Sequence, residues 1–208
     1  MSTPAAAGAA PGCCCGGTPA ALATPPVKGA YDLVDHFGQP VTERSYAGRF
    51  QLIFFGFTHC AVVCPRELAK LTRTLDLLGE EAARLQPLYI SVDPERDTPA
   101  RMRAFLADYH PSFVGLTGTR AQVDSAKANF RVFARRKEDA EAPGGYVVPH
   151  TAFTYLLDRE GRYLAHFGDN IDPVTMVRKL AMGEVEQMHS SSSPTSEGND
   201  SEGQCGAV

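Results

Sequence analysis

The apolar positions of this chain form short continuous runs separated by segments with helical spacing. The runs at residues 50–57, 87–92 and 113–116 have the length of strands, and nearly continuous apolar sequence is typical of strands buried on both faces of a sheet. After the first run, leucines recur at helical spacing at Leu68, Leu71, Leu75 and Leu78. This alternation of strand and helix predicts an α/β fold with parallel strands.

Two later helices are predicted from their capping residues. Thr98 precedes Pro99, which gives an N-cap followed by proline at the first helical position. One face of that helix is predicted to carry Met102, Phe105, Leu106 and Tyr109. Thr119 and Gln122 have the spacing of a capping box, so a third helix is expected to begin there. Its buried stripe is predicted to comprise Val123, Ala126, Phe130 and Phe133.

Hairpins are predicted on both sides of this alternation. The first spans residues 31–42, and the second spans residues 151–167 around the turn signal at 158–161. A last helix is expected over about residues 172–182. A mixed central sheet with flanking helices and a C-terminal antiparallel hairpin is a thioredoxin-like architecture, which we predict for this chain.

The composition predicts one folded domain with a tail at each end. The chain has 208 residues, of which 43% are hydrophobic, enough for one core. We expect a flexible leader over residues 1–28, the folded domain over 29–183 and a disordered Ser/Gly-rich tail over 184–208. The formal charge is -4 with scattered Lys and Arg, which argues against nucleic acid as a partner.

The sequence as written predicts neither a membrane segment nor export. Its apolar runs fall short of the roughly 18 residues that span a bilayer. Residues 1–26 lack a basic region followed by a leucine-rich stretch, and the residues before Cys13 are a poor lipoprotein cleavage box.

The candidate chemistry lies at two of the six cysteines. Cys60 and Cys64 follow the first buried run, where a strand is expected to turn into a helix. The others lie in the leader and the tail, at Cys13, Cys14, Cys15 and Cys205. This distribution is not a disulfide framework, and we expect no role for the leader triplet. Four residues of helix rise about 6 Å and disulfides tolerate Cα separations of roughly 4.4 to 6.8 Å, so the pair could bridge or hold one soft metal ion.

The protonation state of the pair bears on that choice. Pro65 is favoured at the first helical position, which predicts Cys64 at the N-cap. The helix dipole is worth about 0.3 to 1 kcal/mol, or at most about 0.7 pK unit from a free-thiol pKa near 8.5. The dipole alone would leave mostly thiol at neutral pH, so we expect a thiolate-binding metal to displace the proton.

A metal held by this pair needs a further ligand. Two thiolates suit Cu(I), zinc or iron–sulfur iron, and an added imidazole is compatible with copper in either oxidation state, whereas structural zinc sites usually take four ligands. His150 is the best placed histidine, because thioredoxin-like folds bring its region close to the cysteine turn. From the residues alone the third ligand stays open. His59 is expected to point along its loop, and three other histidines are expected to be solvated, namely His36, His110 and His166.

Four segments in the same order resemble the Sco/SenC family of copper-binding proteins. They are FGFTHCAVVCP at 55–65, YISVDPERDTP at 89–99, GLTGTR at 115–120 and HTAFTYLLD at 150–158, and the resemblance covers about residues 30–182. Family members are thioredoxin-like and assist assembly of the dinuclear copper centre of cytochrome c oxidase. They usually work on the periplasmic or intermembrane-space side of a membrane.

The resemblance implies a copper ion bound by Cys60, Cys64 and His150, with Asp93 next to the site. As partners it implies the copper-receiving subunit of cytochrome c oxidase or another copper protein, and an upstream copper donor. The chain differs from the family at Pro149, where an acidic residue is common. Its leader also shows neither the helix nor the lipid box that holds members to a membrane.

Three interpretations of Cys60 and Cys64 follow. The first is a copper metallochaperone. The second is a thiol-disulfide reductase that keeps the copper-binding cysteines of a partner reduced, with one catalytic thiol attacking and the other resolving. The third is a plain stabilising disulfide, which so short a loop would make weak. Because a disulfide cannot bind copper, the redox state would control loading.

Overall fold

A computed structural model describes residues 26–181 of the chain. Its strands are β1 (Asp32–Asp35), β2 (Pro40–Thr42), β3 (Phe50–Gly56), β4 (Leu85–Ser91), β5 (Val114–Thr117), β6 (Lys137–Glu138), β7 (Tyr146–Val147), β8 (Thr154–Leu157) and β9 (Tyr163–Phe167). Its α-helices are α1 (Val63–Leu78), α2 (Pro99–Leu106), α3 (Arg120–Phe130) and α4 (Pro173–Ala181). None of these helices is both long and apolar enough to cross a membrane.

Seven strands form one mixed sheet in the order β2-β1-β5-β4-β3-β8-β9. The three central strands β5, β4 and β3 are parallel to one another, and the outer strands run antiparallel to their neighbours. The predicted thioredoxin-like fold is therefore confirmed, including both hairpins and the helices between the strands. Strands β6 and β7 form a separate two-stranded sheet, which we call the β6–β7 hairpin.

The site is positioned by the two most buried strands. β4 is buried along its whole length, and β3 is buried from Gln51 to Gly56, as expected for strands covered on both faces. They pair in parallel register, with Gly56 opposite Ser91 at their carboxyl ends. The loops that follow β3 and β4 therefore leave the sheet at the same edge.

Two burial predictions were wrong. Phe133 is 66% exposed, because α3 ends at Phe130 and Arg131 turns the chain with a left-handed φ of 60°. His36 is buried at 7% exposure, not solvated. Pairing of β1 with β5 brings its ring to the sheet, where Nδ1 accepts a hydrogen bond from the Gly115 N–H at 3.1 Å.

Most of the leader and all of the tail predicted from the sequence lie outside the described residues, together with Cys13, Cys14, Cys15 and Cys205.

Gly56 is required by close packing at the end of β3. A Cβ at this position would lie 2.7 Å from the Cε2 and Cζ atoms of Tyr89, with the tyrosine hydroxyl nearest of all. Tyr89 is fully buried, and its hydroxyl has no hydrogen-bond partner among the described residues. The ring cannot move aside without disturbing the packed core.

We expect Gly56→Ala to lower the free energy of unfolding by about 1–3 kcal/mol, because the added methyl group overpacks the core. Equilibrium urea denaturation measures this change. Tyr89→Phe alone should cost little, since it removes an unpaired hydroxyl. In the Tyr89→Phe background the cost of Gly56→Ala should fall. Equal costs in the two backgrounds would show that the Tyr89 hydroxyl does not contribute to the clash.

Candidate metal centre

The cysteine turn connects the end of β3 to the start of α1. The Cys60 N–H donates to the Phe57 carbonyl at 3.2 Å, which closes the turn. Both cysteines are free thiols, with Cys60 half-buried and Cys64 fully buried. The Cys64 N–H donates to the Cys60 sulfur, with 3.4 Å between nitrogen and sulfur. The two side chains are thus neighbours, and Cys60 is the more accessible.

The predicted position of Cys64 was wrong. The N-cap is Val62, and Cys64 is the second residue of α1. Pro65 is the third residue, which the helix tolerates because N–H groups throughout the first turn have no partner within the helix. The residue that faces these free N–H groups is Cys60, which precedes the helix.

The pKa values of the two thiols are shifted in opposite directions. The pKa of Cys60 is lowered to about 5, chiefly by a hydrogen bond from the Cys64 thiol and also by the N–H groups of Cys64, Val62 and Val63, against a rise from partial burial. The same hydrogen bond to Cys60, with burial, raises the pKa of Cys64. These hydrogen-bond donors thus lower the pKa of Cys60 further than the helix dipole alone would. The lowered pKa of Cys60 favours its thiolate form, so a metal is not the only group that can displace this proton.

A buried carboxylate that the sequence did not single out holds the turn in place. Asp97 is fully buried, and its oxygens accept hydrogen bonds from the Thr58 hydroxyl at 2.7 Å and the Ser91 hydroxyl at 2.6 Å. The Thr58 N–H also donates to it at 3.2 Å. Asp97 lies within the segment at 89–99 that resembles the family, but no role was predicted for it. Its place just after a buried strand, at the carboxyl edge of the sheet, was the available signal.

His59 lies beside this carboxylate network. Its Nδ1 is 3.2 Å from the Thr58 hydroxyl oxygen. Burial, followed by the charges of Arg96 and Arg101, lowers the pKa of His59. This shift favours the neutral form of the ring. It is half-buried and lines the cavity described below, so the expectation that it simply follows the loop is incomplete.

Asp93 holds the β6–β7 hairpin, which forms one side of the site, through Tyr146 and Arg96. It is buried, accepts a hydrogen bond from the Tyr146 hydroxyl at 3.0 Å and pairs with Nε of Arg96 at 2.5 Å. Arg96 also donates to the Pro143 carbonyl at 2.8 Å, and its guanidinium carbon lies 3.6 Å from the centre of the Tyr146 ring. Asp93 and Arg96 together fasten the β6–β7 hairpin to the end of β4.

His150 lies across from the cysteine turn. Its Nδ1 is 2.8 Å from the Val148 carbonyl and its Nε2 is 3.0 Å from the Phe55 carbonyl. A neutral imidazole has one N–H, so it can donate to only one of these oxygens. To bind a metal, the ring must turn one nitrogen away from its carbonyl.

These groups surround one cavity of about 530 Å³. One wall is the cysteine turn and the other is the β6–β7 hairpin with the segment up to His150. Chemistry-bearing side chains on the lining are His59, Cys60, Asp139, Glu141 and His150. Within residues 26–181 no three His, Cys, Asp or Glu side chains are already grouped closely enough to hold a metal. The structure brings Cys60 and Cys64 together, while His150 stands apart on the same cavity.

The acidity of Cys60 can be tested with iodoacetamide in reduced protein whose four outlying cysteines are serine. We expect the alkylation rate of Cys60 to fall as the pH drops through its pKa of about 5 and to be level above it, because the thiolate is the nucleophile. Cys64→Ala should raise the midpoint, while Cys64→Ser, which keeps a donor, should raise it less. A parent midpoint near about 8.5 would contradict this assignment.

Comparison with known proteins finds one family over most of the chain. The SCO1/SenC family model matches residues 19–183. The mitochondrial protein SCO2 of Saccharomyces cerevisiae is 39% identical over 153 residues, which cover 73% of this chain and 51% of the yeast protein. An SCO2-like protein of Rickettsia conorii is 35% identical over 154 residues, which cover 74% of this chain and 75% of that protein. The chain thus spans about half the length of the yeast relative.

Solved structures show the same relationship. Copper-bound ScoI of Bradyrhizobium japonicum superposes with a TM-score of 0.70 at 37% identity, covering 76% of this chain and 99% of ScoI. Copper-bound yeast Sco1 gives a TM-score of 0.69 at 38% identity, covering 83% of this chain and 93% of Sco1. The family match extends over most of the chain and agrees with the fold. This chain belongs to the SCO1/SenC family.

Proposed function

We propose that this chain is a copper metallochaperone that binds the ion through Cys60, Cys64 and His150 and delivers it during assembly of the copper centre of cytochrome c oxidase. The observation that carries the proposal is the half-buried Cys60 sulfur beside the buried Cys64 thiol, with His150 on the same cavity. The copper-bound structures of ScoI and yeast Sco1 support copper as the cargo.

The donor set suits a soft ion. Two thiolates favour Cu(I), and an imidazole added to them is compatible with either copper oxidation state. Cys60 is already ionised, so an arriving ion meets one charged sulfur at once. Cys64 must lose its proton on binding, because the thiolate is the ligand, and copper binding is expected to release that proton.

The cavity supports delivery to another protein. Its volume of about 530 Å³ far exceeds a single ion and is within the range of about 300–1,000 Å³ for sites that enclose larger groups. Apolar walls at Phe57, Val62 and Val147 leave room for the metal-carrying segment of a partner. We propose as partners a copper-receiving oxidase subunit or other copper protein, and an upstream copper donor.

The yeast relatives are mitochondrial proteins and the rickettsial relatives are bacterial. With the family resemblance, this supports a site of action on the periplasmic or intermembrane-space side of a membrane.

Copper binding is tested by titrating reduced protein, with serine at the four outlying cysteines, with Cu(I) against a competing chelator. We expect one ion per chain with sulfur scattering in X-ray absorption. His150→Ala should weaken binding by at least about tenfold, since it removes a ligand. Cys60→Ser and Cys64→Ser should each weaken it further. His166→Ala, at an exposed histidine of β9, is the matched control. Unchanged affinity in His150→Ala would remove that residue from the site.

A thiol-disulfide reductase is the second candidate, favoured by the unequal acidity of the pair. The Cys60 thiolate would attack one sulfur of a partner disulfide, releasing the other as a thiolate. Cys64, after losing its proton, would then attack the Cys60 sulfur, releasing the second partner thiolate and leaving a Cys60–Cys64 disulfide. Two electrons pass to the partner, and a cellular dithiol would restore the reduced pair.

Reduced protein mixed with a disulfide-bonded peptide should release one peptide dithiol per chain. Cys60→Ser should abolish release, and Cys64→Ser should trap a mixed disulfide visible by mass spectrometry. A Cys60–Cys64 reduction potential so low that no cellular dithiol can restore the pair would exclude turnover.

A further inference from the structure

We propose that His59 is an additional metal-binding group, a transit ligand that holds copper as the ion enters and leaves the Cys60, Cys64 and His150 site. The inference rests on the proposed copper function. The hydrogen bond at Nδ1 of His59 determines that Nε2 is the nitrogen available to a metal.

The first step is the direction of the Thr58 hydroxyl. Asp97 is fully buried, and it accepts hydrogen bonds from the Thr58 N–H and from the Ser91 hydroxyl. The Ser91 oxygen already accepts from the Asp93 N–H at 2.9 Å, so its own proton goes to Asp97. A carboxylate surrounded by donors only accepts, so the Thr58 hydroxyl, 2.7 Å away, also directs its proton at Asp97.

The second step is the tautomer of His59. The Thr58 hydroxyl donates its only proton to Asp97, so its oxygen can only accept further hydrogen bonds. Nε of Arg101 donates to it at 3.4 Å, and Nδ1 of His59 lies at 3.2 Å. Nδ1 must therefore carry the ring proton. In a neutral imidazole this leaves a lone pair on Nε2, which is the form in which histidine binds metals.

This arrangement is typical of metal-binding histidines. Their second ring nitrogen usually donates to a carboxylate, carbonyl or water that fixes the tautomer and the orientation of the ring. Here the buried carboxylate of Asp97 acts on His59 through the Thr58 hydroxyl. Asp97 and Thr58 thus orient the His59 ring in the way that such partners orient metal-binding histidines.

The contrast with His150 assigns the order of contacts. Both nitrogens of His150 face backbone carbonyls, so that ring must move before it can bind. His59 has a hydrogen bond only at Nδ1 among the described residues, and it lines the same cavity as the half-buried Cys60 that follows it in the chain. Cys64 is fully buried behind Cys60. An ion entering the cavity therefore finds Cys60 and His59 available first.

The proposed transfer is a ligand exchange. Bonds from copper to Cys60 sulfur and His59 Nε2 form as the bonds to the ligands of the donor break. Bonds to Cys64 and His150 then form, the Cys64 proton goes to water, and the bond to His59 breaks. Delivery to an acceptor follows the reverse order. The oxidation state of copper does not change.

The tautomer is tested without metal by long-range proton–nitrogen NMR of the reduced protein. We expect His59 to carry its proton on Nδ1 and a bare Nε2. In Thr58→Val, which keeps the shape of the side chain but removes the acceptor, the preference should disappear. An Nε2–H tautomer in the parent protein would overturn the assignment.

Transit is tested by loading Cu(I) into the background with serine at the four outlying cysteines and following its removal by an excess of a chelator. His59→Ala should keep the equilibrium affinity within about twofold and slow removal by about tenfold, the lower end of the effect of altering metal-site groups. His166→Ala should match the parent. Unchanged rates in His59→Ala, or an affinity loss as large as that of His150→Ala, would overturn the transit role. A parent protein that binds no copper would instead overturn the proposed function, and this inference with it.

Discussion

The site depends on one carboxylate buried at the edge of the sheet. Asp97 joins Thr58, the second residue after β3, to Ser91, the last residue of β4. A buried charge without partners costs several kcal/mol, so each of these hydrogen bonds is strongly favoured to persist. The loop that carries Cys60 is therefore held by the neighbouring strand as well as by its own turn. A metal site on so short a loop needs this support to keep its ligands in place.

The division of roles between the two thiols follows from where α1 begins. Cys60 lies in front of the helix and receives its N–H groups, while Cys64 lies inside the first turn and is closed off from solvent. One sulfur is thus accessible and has a lowered pKa, and the other is buried and has a raised pKa. Either proposed function uses this order, because the first bond to a metal or to a foreign sulfur forms at Cys60.

The fold was largely predictable because its signals are local and strong. Buried strands have long apolar runs, and Thr98 and Thr119 mark the starts of α2 and α3 in the sequence as they do in the structure. The errors arose where a local pattern continued past the real end of an element. Phe133 keeps helical spacing beyond α3, and the burial of His36 depends on which strand β1 pairs with. The local spacing of apolar residues shows neither where a helix ends nor which strands pair.

The closeness of Cys60 and Cys64 was predictable from the sequence, whereas their chemistry was less so. The spacing of Cys60 and Cys64 at a strand-to-helix turn could be seen, but which of them faces the helix N-terminus depends on the backbone of the loop. Asp97 acts on Thr58, which is 39 residues away in the chain. The sequence alone could not have connected them. The assignment of His150 as the third ligand still rests on family resemblance, and its position on the same cavity as Cys60 supports it.

The resting position of His150 also bears on the copper affinity that the proposed function requires. With its ring docked between the carbonyls of Val148 and Phe55, the metal-free protein has a conformation that competes with binding. The apparent affinity is the intrinsic affinity multiplied by the fraction of molecules in which the ring is released. Each 1.4 kcal/mol that favours docking lowers that affinity about tenfold without altering a single ligand. If the proposed copper function holds, two backbone oxygens would therefore set how tightly this chain holds the ion relative to its donor and its acceptor.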